Sequence, residues 1–260
     1  MSAHFDIAYV FDYFVKLLPY LRITAVIVAC SLAIGLGVGL LVALPRMYRV
    51  PVLQRFSQVY VSFFRGTPIL IQLFLFYYGL PEVLKSVHLD VSKVPSLYFV
   101  VFVYSLHTGA FLSEAIRGAV GAVDRGQVEA AYAVGMKGYQ AFARIVLPQA
   151  LGIAIPVFAN LIIAVLKDTS LAFSLGTMEL TGKAQTLPTI SQHFFEAYLS
   201  LALIYFLICF ALEKLLAALE RRMLRHEARP AAETRAARGR KWLNRRFPAG
   251  LDLPKEGARS

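Results

Sequence analysis

The chain has 260 residues, of which 58% are hydrophobic and 13% aromatic, and its mean hydropathy is +0.60. Apolar residues at that density, gathered in long uncharged blocks, exclude a soluble globular domain and indicate an integral membrane protein. A formal net charge of +11 would suit a nucleic-acid partner, and 221–246 is basic with Trp242 and Phe247 nearby. Membrane proteins, however, concentrate Lys and Arg on one face for insertion and for contact with anionic lipid, so membrane lipid and not nucleic acid is the expected partner of this charge.

Five membrane-spanning helices are predicted, in an all-α fold. The first, about 23–44, is uncharged over 22 residues. At about 1.5 Å per residue that crosses a hydrocarbon core of roughly 30 Å. Within it Gly35, Gly37 and Gly39 include a GxxxG pair, 35 with 39, that lets another helix approach closely. The second span, about 59–81, carries one charge, Arg65, and a kinking proline, Pro68. The third, about 94–114, is uncharged as far as Ser113; on it His107 and Glu114, seven residues apart, share a face. They could line a pathway, or His107 could bond a neighbouring helix. The fourth, about 145–166, is uncharged but carries Pro148 and Pro156, and the fifth, about 196–216, is uncharged from 197 to 212. Residues 1–222 form the transmembrane domain; 223–260, rich in Arg, Ala and Pro, are expected to be a basic, weakly ordered tail.

With the N-terminus outside, 21 of the 27 Lys and Arg residues fall on the cytoplasmic side, so the C-terminus and the loop at 124–144 face the cytoplasm. Residues 1–22 lack the pattern of a cleavable signal. Cys30 and Cys209 lie within predicted spans and no spacing suggests a metal, redox site or disulfide. The stretch 176–184, GTMELTGKA, has five residues between its glycines where a phosphate-binding loop has four, and Ala184 stands where a Ser or Thr would hold magnesium. The chain is therefore expected to have no nucleotide site, catalytic residue, metal or cofactor of its own.

The loop before the fourth span runs EAAYAVGMKGYQAFARIVLP from Glu129 to Pro148. Helix-forming residues flank a break bracketed by Gly135 and Gly138, which predicts a helix-turn-helix with an apolar face from Tyr132, Val134, Met136, Tyr139 and Phe142. The pattern Glu129, Ala130, Ala131, Gly135, Ile145, Leu147, Pro148 resembles the EAA loop of ABC-importer permeases. YVSFFRGTPILIQLFLFYYGLP at 60–81 and KDTSL at 167–171 resemble the polar amino-acid branch of that family, and phrases such as VDRGQVEAAY at 123–132 look closest to L-cystine permeases.

The resemblance implies the transmembrane domain of a type I ABC importer in a bacterial inner membrane, carrying L-cystine or a close analogue. It further implies two ATPase subunits holding ATP and magnesium, a second permease subunit, identical or not, and an extracytoplasmic amino-acid-binding protein. The seven loop residues would couple to the ATPase. An ion-coupled secondary transporter or a non-transporting scaffold are the alternatives, but no internal repeat and no mid-span carboxylate supports the former.

Along the pathway, Arg65, Gly66, Thr67 and Pro68 combine a cation, a flexible joint, a hydroxyl and a kink, suiting either a gating bend or interfacial anchoring. Gln72 could bond substrate or a neighbouring helix, and Asn160 is polar at mid-span, where it needs a partner. Lys167 and Asp168, followed by the hydroxyls of Thr169 and Ser170, would suit a zwitterionic amino acid; alternatively the two charges form an ion pair capping the helix.

Overall fold

The computed structural model describes residues 4–224, and among these every regular element is a helix. One compact unit comprises residues 1–217; a second begins at residue 218, of which the described part continues the last helix. The expected tail lies outside the described residues beyond Leu224.

Helix α1, Ile7–Leu17, starts at Asp6, whose carboxylate accepts the Ala8 N–H at 2.9 Å. After a short 3-10 turn the chain enters α2, Leu21–Met47, long enough at about 1.5 Å per residue to cross a bilayer. It turns at Arg49 and re-enters a helix at Pro51, whose missing N–H costs nothing at a first helical turn. This α3, Pro51–Gly66, and the run that follows it from Ile69 to Lys85 meet at 112°. That run comprises α4, Ile69–Phe74, a π-helical turn, Leu75–Gly79, and α5, Leu80–Lys85. The crossing expected over 59–81 thus straddles a sharp break, beginning on α3 and ending on α5.

Helix α6, Ser96–Gly121, is the centre of the bundle: 56% of its most apolar window is buried, against 28% or less in the other three long segments. A helical turn and reversal follow as α7, Arg125–Ala133, and α8, Gly138–Ala141. A second π-turn, Phe142–Val146, leads into α9, Leu147–Asp168, which tightens into a 3-10 turn, Thr169–Leu175, ending at Gly176 with φ +76°. Short helices α10, Leu180–Thr186, and α11, Pro188–Ser191, precede α12, Phe194–Leu224. Both π-turns run into a Leu-Pro pair, Leu80–Pro81 and Leu147–Pro148. A proline lacks the N–H for the next α-type bond and its ring crowds the carbonyl four residues back, so a wider turn relieves both.

The main core joins α2 through Ile27, α4 through Leu73, α6 through Val100, Val103 and Tyr104, and α9 through Val165. A second cluster packs Leu17 of α1, Leu180 and Ala184 of α10, and Leu201 and Ile204 of α12. The α2–α6 contact is backbone-close. A methyl added at Gly39 would sit 2.8 Å from Leu112 Cβ, and one at Gly109 would sit 2.9 Å from Val38 Cβ. Gly35 faces Thr108 in the same way, whereas nothing lies within 4 Å of a methyl at Gly37. The GxxxG pair therefore packs against α6 of its own chain.

This contrast sets a test. Gly39→Ala is expected to destabilise the protein by about 1–3 kcal/mol, the usual range for an overpacked site. Gly37→Ala should leave stability unchanged or slightly raised, because alanine is the better helix former. Thermal unfolding of the two purified variants in the same detergent reads the difference.

Candidate functional site

The loop at 124–144 folds as a helix-turn-helix. Asp124 caps α7 by accepting the Gly126 N–H at 2.7 Å, and the chain reverses at Gly135, whose φ of +81° would strain any side chain. Met136 N–H reaches back to Ala131 O at 3.1 Å and Gly135 N–H to Tyr132 O at 2.9 Å, closing the helix end. Gln140 then accepts the Lys137 N–H at 2.9 Å and starts α8. Of the seven motif positions, Glu129, Ala130, Gly135, Leu147 and Pro148 are exposed, Ile145 is half-buried, and Ala131 is buried. Tyr132, Val134 and Tyr139 stand exposed beside them, 54–74% accessible, with Phe142 partly so. Large apolar side chains on a polar-flanked turn leave an apolar surface there, not a packed core.

At the break between α3 and α4, Thr67 and Pro68 are extended and Gly66 and Pro68 are exposed. Gln72 holds the break closed. Its Nε2 lies 2.8–2.9 Å from Phe64 O, Thr67 O and Thr67 Oγ1, while its Oε1 faces His107 Nδ1 at 3.0 Å, which orients the imidazole as donor. Fully buried, the amide is taken up inside the protein, and His107 bonds this neighbouring helix. Glu114, on the same helix as His107, has different partners. Arg46 contacts its carboxylate, Arg117 Nη2 lies at 2.8 Å and Arg65 Nη1 at 3.9 Å, with Arg65 also over the Phe111 ring at 5.4 Å.

At the opposite end of α9, Lys167 is exposed and Asp168 half-buried. The alternative ion pair between them is not formed among the described residues, because consecutive helical residues point about 100° apart. The hydroxyls of Thr169 and Ser170 donate to the Leu166 and Lys167 carbonyls at 2.6 and 2.8 Å, and Tyr104 OH donates to the Asp168 carbonyl. Beside this turn is a cavity of about 380 Å³ lined by Lys167, Ser170, Thr181, Tyr198, Leu201, Ala202 and Tyr205. Behind it Glu179, fully buried, accepts the Gly182 N–H at 2.9 Å and faces Thr24 and Tyr205 hydroxyls, each at 3.5 Å. Burial pushes its carboxyl above the ordinary value of 4.5. Asn160 lies apart from both clusters. It is exposed on α9 in line with Ile153, Val157, Ala164 and Lys167, a single stripe at helical spacing, and its side chain makes no hydrogen bond among the described residues.

The structure therefore joins Arg65, Thr67 and Gln72 with His107 and Glu114 at one end, and places Lys167–Ser170 beside a cavity at the other. Glu179, Tyr205, Thr24 and Arg46 were not singled out from sequence. Glu179 carried one available signal, a lone carboxylate in an otherwise apolar and hydroxyl-bearing stretch.

Residues 35–225 match the family described as binding-protein-dependent transport system inner membrane component. The chain is 44% identical over 229 residues to the L-cystine transport system permease protein TcyL of Bacillus subtilis (strain 168), covering 88% of this chain and 96% of that protein. It is 42% identical over 201 residues to the probable amino-acid ABC transporter permease protein PatM of Vibrio harveyi, covering 77% and 88%. A solved crystal structure of an amino acid ABC transporter with histidines matches with a TM-score of 0.77 at 30% identity, over 85% of this chain and 100% of that one.

Two variants probe these clusters. Gln72→Leu leaves the Phe64 and Thr67 carbonyls and His107 without their partner, and is expected to cost about 1–3 kcal/mol, read as a lower unfolding midpoint. For Glu179, the folded chain holds its proton more tightly than the unfolded chain. The stability this contributes is complete below about pH 4.5 and is lost as pH rises through the raised folded value. Glu179→Gln should flatten the pH dependence of the midpoint in that window; an unchanged profile would assign the dependence elsewhere.

Proposed function

The chain belongs to the family of binding-protein-dependent transport system inner membrane components, and we propose that it forms the path for L-cystine or a close analogue. It is the membrane permease component of an ABC amino-acid importer, a transport subunit that works with an ATPase and a substrate-binding protein. In this reading the N-terminus lies outside and the α7–α8 turn faces the cytoplasm, where Lys and Arg are concentrated. Two copies of a separate ATPase bind ATP and magnesium, and the chain itself supplies no catalytic residue and no cofactor. A second permease subunit completes the pathway.

The observation that carries the reading is the exposed apolar turn at 129–148: Glu129, Ala130 and Gly135 lie on a surface where Tyr132, Val134 and Tyr139 stand more than half exposed. The ATPase subunits close on ATP and the turn transmits that motion to α9, whose first turns share a core with α6 and α7 through Ala119, Val123, Val128, Val146 and Ala150. The break at Gly66–Pro68 gives α4 a place to bend. At the other end, Lys167 and the hydroxyls around the cavity offer a cation and donors to an amino acid, and Asn160 faces the path between them. Access alternates between the two sides as this motion repeats.

Deleting 129–138 should abolish capture of the ATPase in mild-detergent pull-downs while the chain still inserts into the membrane. Wild-type cells should show ATP-dependent uptake of radiolabelled cystine that the deletion removes. Normal ATPase capture by the deletion would overturn the coupling assignment; capture without cystine uptake in the wild type would overturn the substrate alone.

A further inference from the structure

We propose that Arg46, Arg65 and Arg117, gathered around Glu114, form a binding site for the phosphate of an anionic phospholipid headgroup. The cluster holds three guanidinium groups against one carboxylate, leaving two positive charges uncompensated. Its geometry is uneven in an informative way. Arg46 is the least exposed member, at 13%, and contacts Oε1, and Arg117 donates to Oε2 at 2.8 Å. Arg65, at 3.9 Å, is beyond hydrogen-bond reach of the carboxylate and is held by the Phe111 face. The side chains of Arg65 and Arg117 are each 46% exposed. Every guanidinium carries five donors, so one carboxylate cannot occupy three of them, and the free donors of Arg65 and Arg117 lie on the open side.

A phosphate supplies the missing acceptors in the bidentate geometry that guanidinium favours. The position selects a lipid as its source. Arg46 closes the apolar run of α2 and Arg65 the amphipathic α3, and the residues two positions before them, Leu44 and Phe63, are exposed apolar side chains. Cations that cap lipid-facing surface on two helices sit at headgroup depth. Arg49 and Arg55 are exposed cations on the same connection but take no part in the cluster, which makes them an internal control.

The full chain, purified in neutral detergent, is titrated with phosphatidylglycerol or phosphatidylcholine in mixed micelles, and the unfolding midpoint and retained lipid are followed. Phosphatidylglycerol should be retained and raise the midpoint, and phosphatidylcholine should do neither. R65Q/R117Q should weaken the phosphatidylglycerol response by about 25-fold, from about fivefold per arginine, and R49Q/R55Q should leave it within twofold. Where the double variant fails to fold, R65Q alone, on the half-exposed guanidinium, should show about the fivefold loss. Equal losses in the two pairs would mean diffuse surface charge, and an equal response to the two lipids would mean no headgroup recognition. Inorganic phosphate reproducing the midpoint shift would assign the cluster to a soluble anion. Each of these results overturns the lipid site.

Discussion

Inside a bilayer two helices gain little from pressing leucine on leucine, since lipid tails are equally apolar, and so their association depends on how closely the backbones can approach. Here that approach is between α2 and α6, where Gly35 and Gly39 meet Thr108, Gly109 and Leu112. The rest of the bundle is hung on this pair. Its alignment brings Arg46 at the end of α2 to Glu114 of α6. It also sets Ile27 beside Val100, Val103 and Tyr104, the surface that receives α4 and α9. Helix α12, by contrast, has only 11% of its most apolar window buried and makes its principal core contacts through Leu201 and Ile204 with α1 and α10.

The second constraint is that backbone groups left free by a broken helix must still be satisfied where water is scarce. The chain meets it with side chains. Gln72 takes up the carbonyls of Phe64 and Thr67 that the α3–α4 break releases, and Thr67 Oγ1 turns back to Phe63 O at 2.8 Å. A bend made this way is held by a few hydrogen bonds and one imidazole, so it can be both sharp and alterable. The same logic appears at Glu179, which caps α10 with one oxygen and gathers hydroxyls from α2 and α12 with the other.

Much of this was legible in the amino-acid sequence because the bilayer imposes one-dimensional rules. Uncharged runs mark where helices must be, and the residues around Gly135 mark a reversal, which its positive φ bears out. The family resemblance carried by 129–148 agrees with the family match over 35–225. What stayed hidden depends on azimuth and partner. A GxxxG pair announces a close neighbour but cannot say that the neighbour is α6 of the same chain. Pro68 announces a kink but not a 112° turn, across which Gln72 bonds with help from His107 on another helix. Lys167 and Asp168 look paired when written side by side, yet a helix points them apart. Arg46 and Glu114, 68 positions apart, look unrelated until two helices are laid together.

The π-helical turn at Phe142–Val146 has a consequence of phase. An α-helix advances about 100° per residue, and a π-turn accommodates an extra residue in one turn. Everything beyond Val146 is therefore rotated by about that angle relative to an unbroken helix begun at Gly138. The stripe of α9 that carries Asn160 and Lys167 owes its outward direction to that offset as much as to its own residues. Pro148, which favours the wide turn, thus acts as a clocking pin between the α7–α8 loop and the outward stripe of α9.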